Sequence, residues 1–169
     1  MSVLLDTAVL IAAARGTFDM PGYLAALGDA PVALAAISAS ELLHGVERAR
    51  DAVIRQRRRE FVEGVLANVP AIPFGLPEAR AHARIWAELA CAGNLIGAHD
   101  LQIAATALVA DSAVATLNVH EFSRVPRLRL AELTPIRAIL TKPPASRRGR
   151  SVPVLDPRVR SAVLRWIAS

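Results

Sequence analysis

Ser2-Val3-Leu4-Leu5-Asp6-Thr7-Ala8-Val9-Leu10-Ile11 is the stretch on which the fold turns. A short apolar run ends at a single carboxylate, and the apolar character then resumes. A run that is apolar on both faces predicts a strand buried on both sides, as in a parallel sheet covered by helices. Burying an unpaired carboxylate costs several kcal/mol, so something must compensate Asp6. Parallel α/β folds place their ligands outside the carboxyl ends of their strands, which is where Asp6 stands.

Working outward, the same kind of run recurs at Pro31–Ile37, Ala71–Phe74 and Ala113–Leu117. Arg127–Leu133 alternates arginine with leucine and predicts an edge strand. Helical patterns lie between these runs. Ser38 or Ser40 is a candidate N-cap for a helix to about Arg50. A charged helix is expected from about Asp51 to Ala67, and another from Pro77 to about Cys91. An Ala-rich buried helix is expected from Asp100 to Ala110. This order predicts an α/β class protein, a three-layer α/β/α sandwich with a parallel four- or five-stranded sheet.

The chain has 169 residues, 53% of them hydrophobic and 4% aromatic, with 21% charged. That excludes global disorder and allows a core built from Ala, Val, Leu and Ile. One cysteine, Cys91, excludes a disulfide framework and a cysteine-based zinc site, and fits a reducing cytoplasm. The longest charge-free run, Gly64 to Pro77, spans 14 residues with three prolines and two glycines. A membrane span needs about 20 apolar residues, so none is expected. No basic stretch precedes the apolar N-terminus, so a secretory leader is not expected.

The net charge of +5 is unevenly placed. Residues 141–169 hold seven basic residues against Asp156, giving +6, and the remainder carries 13 basic and 14 acidic residues, or −1. The division is a domain over 1–140 and a basic Pro/Arg linker with a short amphipathic helix over 141–169. In that helix Val159, Val163, Trp166 and Ile167 share a face.

Asp6, Glu41, Asp100 and Glu121 each lie at or shortly after a strand end or helix start. Four carboxylates around one rim repel unless cations lie between them. An all-oxygen set suits Mg²⁺ or Mn²⁺. Singly, each also fits the role of a helix cap or a partner of the helix dipole. His44, His82, His99 and His120 have no metal-ligand spacing, and His99 is expected to be structural. Cys91 is expected in a helix core, and Trp86 in packing.

Four segments carry a resemblance: Leu5-Asp6-Thr7-Ala8-Val9-Leu10, Ile37-Ser38-Ala39-Ser40-Glu41-Leu42-Leu43-His44-Gly45, Ile96-Gly97-Ala98-His99-Asp100-Leu101-Gln102-Ile103-Ala104-Ala105-Thr106-Ala107, and Thr116-Leu117-Asn118-Val119-His120-Glu121-Phe122-Ser123-Arg124-Val125-Pro126. In this order and spacing they resemble the motifs of PIN-domain ribonucleases, in particular VapC-type toxins, over about residues 1–135. The resemblance implies a Mg²⁺-dependent endoribonuclease, acting on tRNA or rRNA as the toxin of a toxin–antitoxin pair. It implies that Asp6, Glu41, Asp100 and Glu121 hold the metal, while Thr116, Asn118 and Arg124 contact substrate. It also implies a VapB-like antitoxin partner and a homodimer.

Two positions depart from the pattern. Ala8 stands where the family usually has Asn or Ser, and Glu121 where Asp is common. A haloacid-dehalogenase reading of Asp6 would need a second Asp at position 8, which is Ala. The alternative that stays open is a PIN-like module that binds RNA or protein without cutting, because Ala8 and Glu121 are atypical.

Overall fold

The computed structural model describes residues 2–133. β1 (Ser2–Leu5), β2 (Val32–Ala35), β3 (Ala71–Ile72) and β4 (Ser112–Ala115) form one parallel sheet in the order β3-β2-β1-β4. Helices cover both faces, as the alternating apolar runs require. Leu4, Ala35 and Val114 pack on one side against α5 (Leu76–Cys91) and α6 (Ala98–Val109). Val3, Leu5 and Ala115 pack on the other side with α1 (Thr7–Ala14), α2 (Met20–Leu27), α3 (Ala36–Glu47) and α4 (Ala52–Asn68). The small α7 (Val119–Phe122) follows β4.

The chain steps from β1 to β2 to β3 in one direction, and β4 then joins the opposite side of β1. The strand order therefore reverses between β1 and β4, the point at which doubly wound sheets open a crevice. Leu5 is in register with Ala115, and the Asp6 amide donates to the Ala115 carbonyl at 2.9 Å. Register thus places the residues that follow these two strands side by side.

Several expectations are corrected. α1 starts directly at Thr7, and α2 fills a segment that had no assignment; both are short and broadly apolar, so their sequence lacks a clear 3.6-residue stripe. The second strand stops at Ala35 because α3 already begins at Ala36; Ala35 is its N-cap, and Ser38 and Ser40 lie inside the helix. Residues 127–133 form a single bridge, Val114 to Leu130, not a strand. Arg127 has φ 66°, which breaks the extended run. Cys91 is exposed at the end of α5 rather than in a core, and Trp86 is 53% exposed, in edge contact with His82. The linker and helix expected over 141–169, and the domain limit at 140, lie outside the described residues.

Candidate active site

Asp6 is the hinge between β1 and α1. It occupies the N-cap position of α1 in extended backbone, yet its side chain makes no cap hydrogen bond. Its carboxylate turns instead toward β4, where Thr116 Oγ1 donates to Asp6 Oδ2 at 2.6 Å. Both residues are buried, Asp6 at 4% exposure and Thr116 at 2%. Burial pushes the Asp6 carboxyl above its ordinary value. The Thr116 hydroxyl and the nearby Thr7 and Ala8 amides pull it back, while the charge on Glu41 raises it further.

Asp100 enters from the first turn of α6. Burial raises its carboxyl too, and the charges on Asp6, Glu41 and Glu121 add to the rise. The amide of Asn118, whose Nδ2 donates to Asp100 Oδ2 at 3.1 Å, opposes the rise. Asp100 therefore senses the other three acidic residues predicted from the sequence, and Asp6 senses Glu41. Asn118 is tied to the same frame, because its backbone N–H donates to Thr116 Oγ1 at 2.8 Å. Gly97 precedes Asp100 at the helix cap, and a Cβ there would stand 3.4 Å from Asp100 Oδ2. Beside it opens a depression of about 310 Å³ lined by Gly97, Ala98, His99 and Asp100.

Glu41 approaches from α3 and is held at both oxygens. Thr7 Oγ1 donates to Oε2 at 2.5 Å, and His99 Nδ1 lies 2.6 Å from Oε1. Neither Thr7 nor His99 was picked out as a site residue from the sequence, and His99 is a site neighbour rather than a structural histidine. Its place directly before Asp100 in a helix start was the available signal. Glu121 is held by α7, whose Phe122 is fully buried. Arg124 Nη1 lies 3.4 Å from Glu121 Oε1 and donates to the Leu95 carbonyl at 3.2 Å. The Ser38 hydroxyl, in the first turn of α3, is buried without a partner among the described residues.

Chemically the site is a set of oxygen donors converging on one rim. Carboxylates raised by burial and by each other favour a cation between them. No three acidic, histidine or cysteine side chains among the described residues close into a ready cage. An all-oxygen donor set is of the kind that suits a hard cation keeping several waters and taking one or two carboxylates.

The PIN domain family profile matches residues 3–128. The chain is 33% identical over 130 residues to Ribonuclease VapC of Rickettsia bellii, covering 77% of this chain and 95% of that protein. It is 28% identical over 106 residues to the tRNA(fMet)-specific endonuclease VapC of Salmonella typhimurium, covering 63% of this chain and 78% of the relative. The fold is similar to the crystal structure of VapBC2 from Rickettsia felis bound to a DNA fragment from their promoter, with TM-score 0.71 and 26% identity over 78% of this chain and 98% of that one. The profile takes in all four strands and all four carboxylates, and on that ground the chain belongs to the PIN-domain family, among the VapC ribonucleases.

Proposed function

We propose that this protein is a Mg²⁺-dependent endoribonuclease and the toxin of a toxin–antitoxin pair. The observation that carries the reading is the convergence of Asp6, Glu41, Asp100 and Glu121 at the sheet's switch point, with Asp6 and Asp100 both raised by burial and by neighbouring charge. Asp6 and Asp100 would hold the metal directly, with Glu41 and Glu121 completing the set through their own oxygens or through water; Mn²⁺ would serve in its place. When bound, the metal supplies a lowered pKa to a coordinated water and neutralises the scissile phosphate.

The chain's own groups do the rest. Thr116 fixes the orientation of Asp6, and Asn118 that of Asp100. Thr7 and His99 set the direction of Glu41. Asn118 and Arg124 line the rim where the RNA backbone would lie, whereas Thr116, expected there from the sequence, is buried and its hydroxyl is taken up by Asp6 and the Asn118 amide; Arg124 would exchange its Leu95 carbonyl for a phosphate oxygen. tRNA or rRNA is the substrate class, as the specificity of the Salmonella relative supports. A VapB-like antitoxin is the partner, as the VapBC complexes of like fold support. The homodimer and a cytoplasmic setting belong to the same reading; among the described residues no helix is long and apolar enough to cross a membrane.

The test is cleavage of total cellular RNA by antitoxin-free protein in Mg²⁺ and in EDTA, beside Asp6→Asn and Asp100→Asn. Discrete fragments that need Mg²⁺ and vanish in both variants are expected. A folded parent that leaves RNA intact, or variants that cut as well as it does, would overturn the reading in favour of a binding module.

A further inference from the structure

The corner between α3 and α4 is chemically unlike the rest of the surface. Residues 48–59 contain Arg48, Arg50, Arg55, Arg57, Arg58 and Arg59 against Asp51, a charge of +5. The described residues 2–133 hold 12 arginines and 14 acidic residues, or −2. Everything described outside the corner therefore carries −7. Among the described residues, a polyanion meets one concentrated positive region.

The corner also projects. Every residue from Asp51 to Glu60 is exposed, and the only buried residue of α4 is Val62, beyond that stretch. Two of the arginines build the corner. Arg55 donates from Nε and Nη2 to the Ala49 carbonyl at 3.0 and 2.7 Å, and Arg58 Nη1 to the Gly45 carbonyl at 2.7 Å. These are carbonyls at the C-terminal end of α3, which has no intrahelical donors left for its last turn. Arg59 pairs with Glu47 at 3.1 Å. Arg48, Arg50 and Arg57 are exposed and have no partner among the described residues. Elsewhere Arg124, Arg127 and Arg129 each face a carboxylate, while Arg15, Arg80 and Arg84 are exposed without a partner among the described residues; what sets the corner apart is the number of arginines gathered there.

α3 links this corner to the site. Glu41 lies on it, and Arg48 follows seven residues later, about 10 Å along the helix axis. That exceeds the roughly 8 Å screening length at physiological salt, so the arginines do not neutralise the site carboxylates. They are placed for other phosphates of the same strand. We propose that Arg48, Arg50 and Arg57 form a phosphate-binding arm that grips the RNA backbone beside the scissile bond. The proposal rests on the ribonuclease reading above for its substrate. Guanidinium forks suit phosphate oxygens, and such contacts position a strand without reading its sequence.

The experiment measures anisotropy of a fluorescein-labelled oligouridylate with the full chain in EDTA, across a KCl series. The Arg48→Gln/Arg50→Gln/Arg57→Gln variant is compared with the parent and with Arg15→Gln/Arg80→Gln/Arg84→Gln, which removes the same charge from exposed positions elsewhere. Each phosphate contact to a single strand contributes about 0.7 to the slope of log K against log salt. The arm variant is expected to lose about 2 from that slope, with weaker binding at low salt, while the control keeps the parent's slope. Equal losses in both variants would reduce the arm to bulk charge, and an unchanged slope would hand the contacts to another surface or leave the corner to an acidic protein; either overturns the proposal. Cleavage by the parent in Mg²⁺ is scored alongside. A parent that binds steeply but never cuts defeats the ribonuclease reading and spares the arm. A parent that cuts while the arm variant keeps its slope defeats the arm alone.

Discussion

Asp100 shows how the site works against the fold. Its carboxyl is raised from the ordinary 3.8 by burial first and by three neighbouring carboxylates after that. A group raised in the native state contributes stability that is complete below its unfolded value and is lost as pH rises through its native value. Metal-free protein should therefore lose thermal stability as pH rises above about 4. Asp100→Asn should flatten that dependence and melt higher than the parent in EDTA at pH 7, by on the order of a few degrees; a melting series against pH checks both. Thr116→Val acts in the opposite sense. It removes the hydroxyl that donates to buried Asp6, and loss of a hydrogen bond to a charged group costs about 1.5–3 kcal/mol. Its melting temperature should fall at pH 7 and recover in acid, where Asp6 is protonated. The four carboxylates were legible in the sequence because each follows a strand or opens a helix. Thr7 and His99 were not, because their contacts to Glu41 join residues 34 and 58 positions apart, and no local pattern encodes that.

Elements differ in how they are held. α4 is started by Asp51, whose carboxylate accepts from the Ile54 amide at 2.8 Å. Asp51→Ala should cost about 1 kcal/mol, seen as a small drop in urea midpoint with cleavage retained. α7 has only four residues, too few to stand by hydrogen bonding alone. Phe122, fully buried against the α5–α6 layer, fixes it. Phe122→Ala should cost about 3–5 kcal/mol and release Glu121 with it; the check is urea unfolding together with cleavage at a temperature where the variant is still folded. The strands and long helices were readable from their runs and caps. The ends of α3 were not, because Ala35 caps a helix without any side-chain signal. The edge strand failed for a related reason: an alternating Arg-Leu pattern says nothing about the positive φ at Arg127.

At the scale of the whole molecule, the sheet order explains the position of the site, and the site explains why the fold tolerates buried repulsion. A ligand that binds only the native state stabilises it by about 2.7 kcal/mol at one hundred times its dissociation constant. Mg²⁺ at that excess should raise the parent's melting temperature by several degrees and leave Asp6→Asn and Asp100→Asn unmoved. Asp100→Asn would then be the more stable protein in EDTA and the less stable one in Mg²⁺, a crossing that no purely structural role for Asp100 produces. The parallel sheet and its two helical layers were recoverable from the sequence because apolar runs and helical periods alternate along it. The cluster of arginines over residues 48–59 can be counted in the sequence, but which of them are exposed and lack partners needed the structure. Cys91 is the only cysteine and stands exposed at the end of α5. A chain with one accessible thiol can make a single covalent link to another copy, so oxidation on storage would yield a two-chain species and nothing larger. The same thiol accepts one maleimide dye per molecule, at the end of α5.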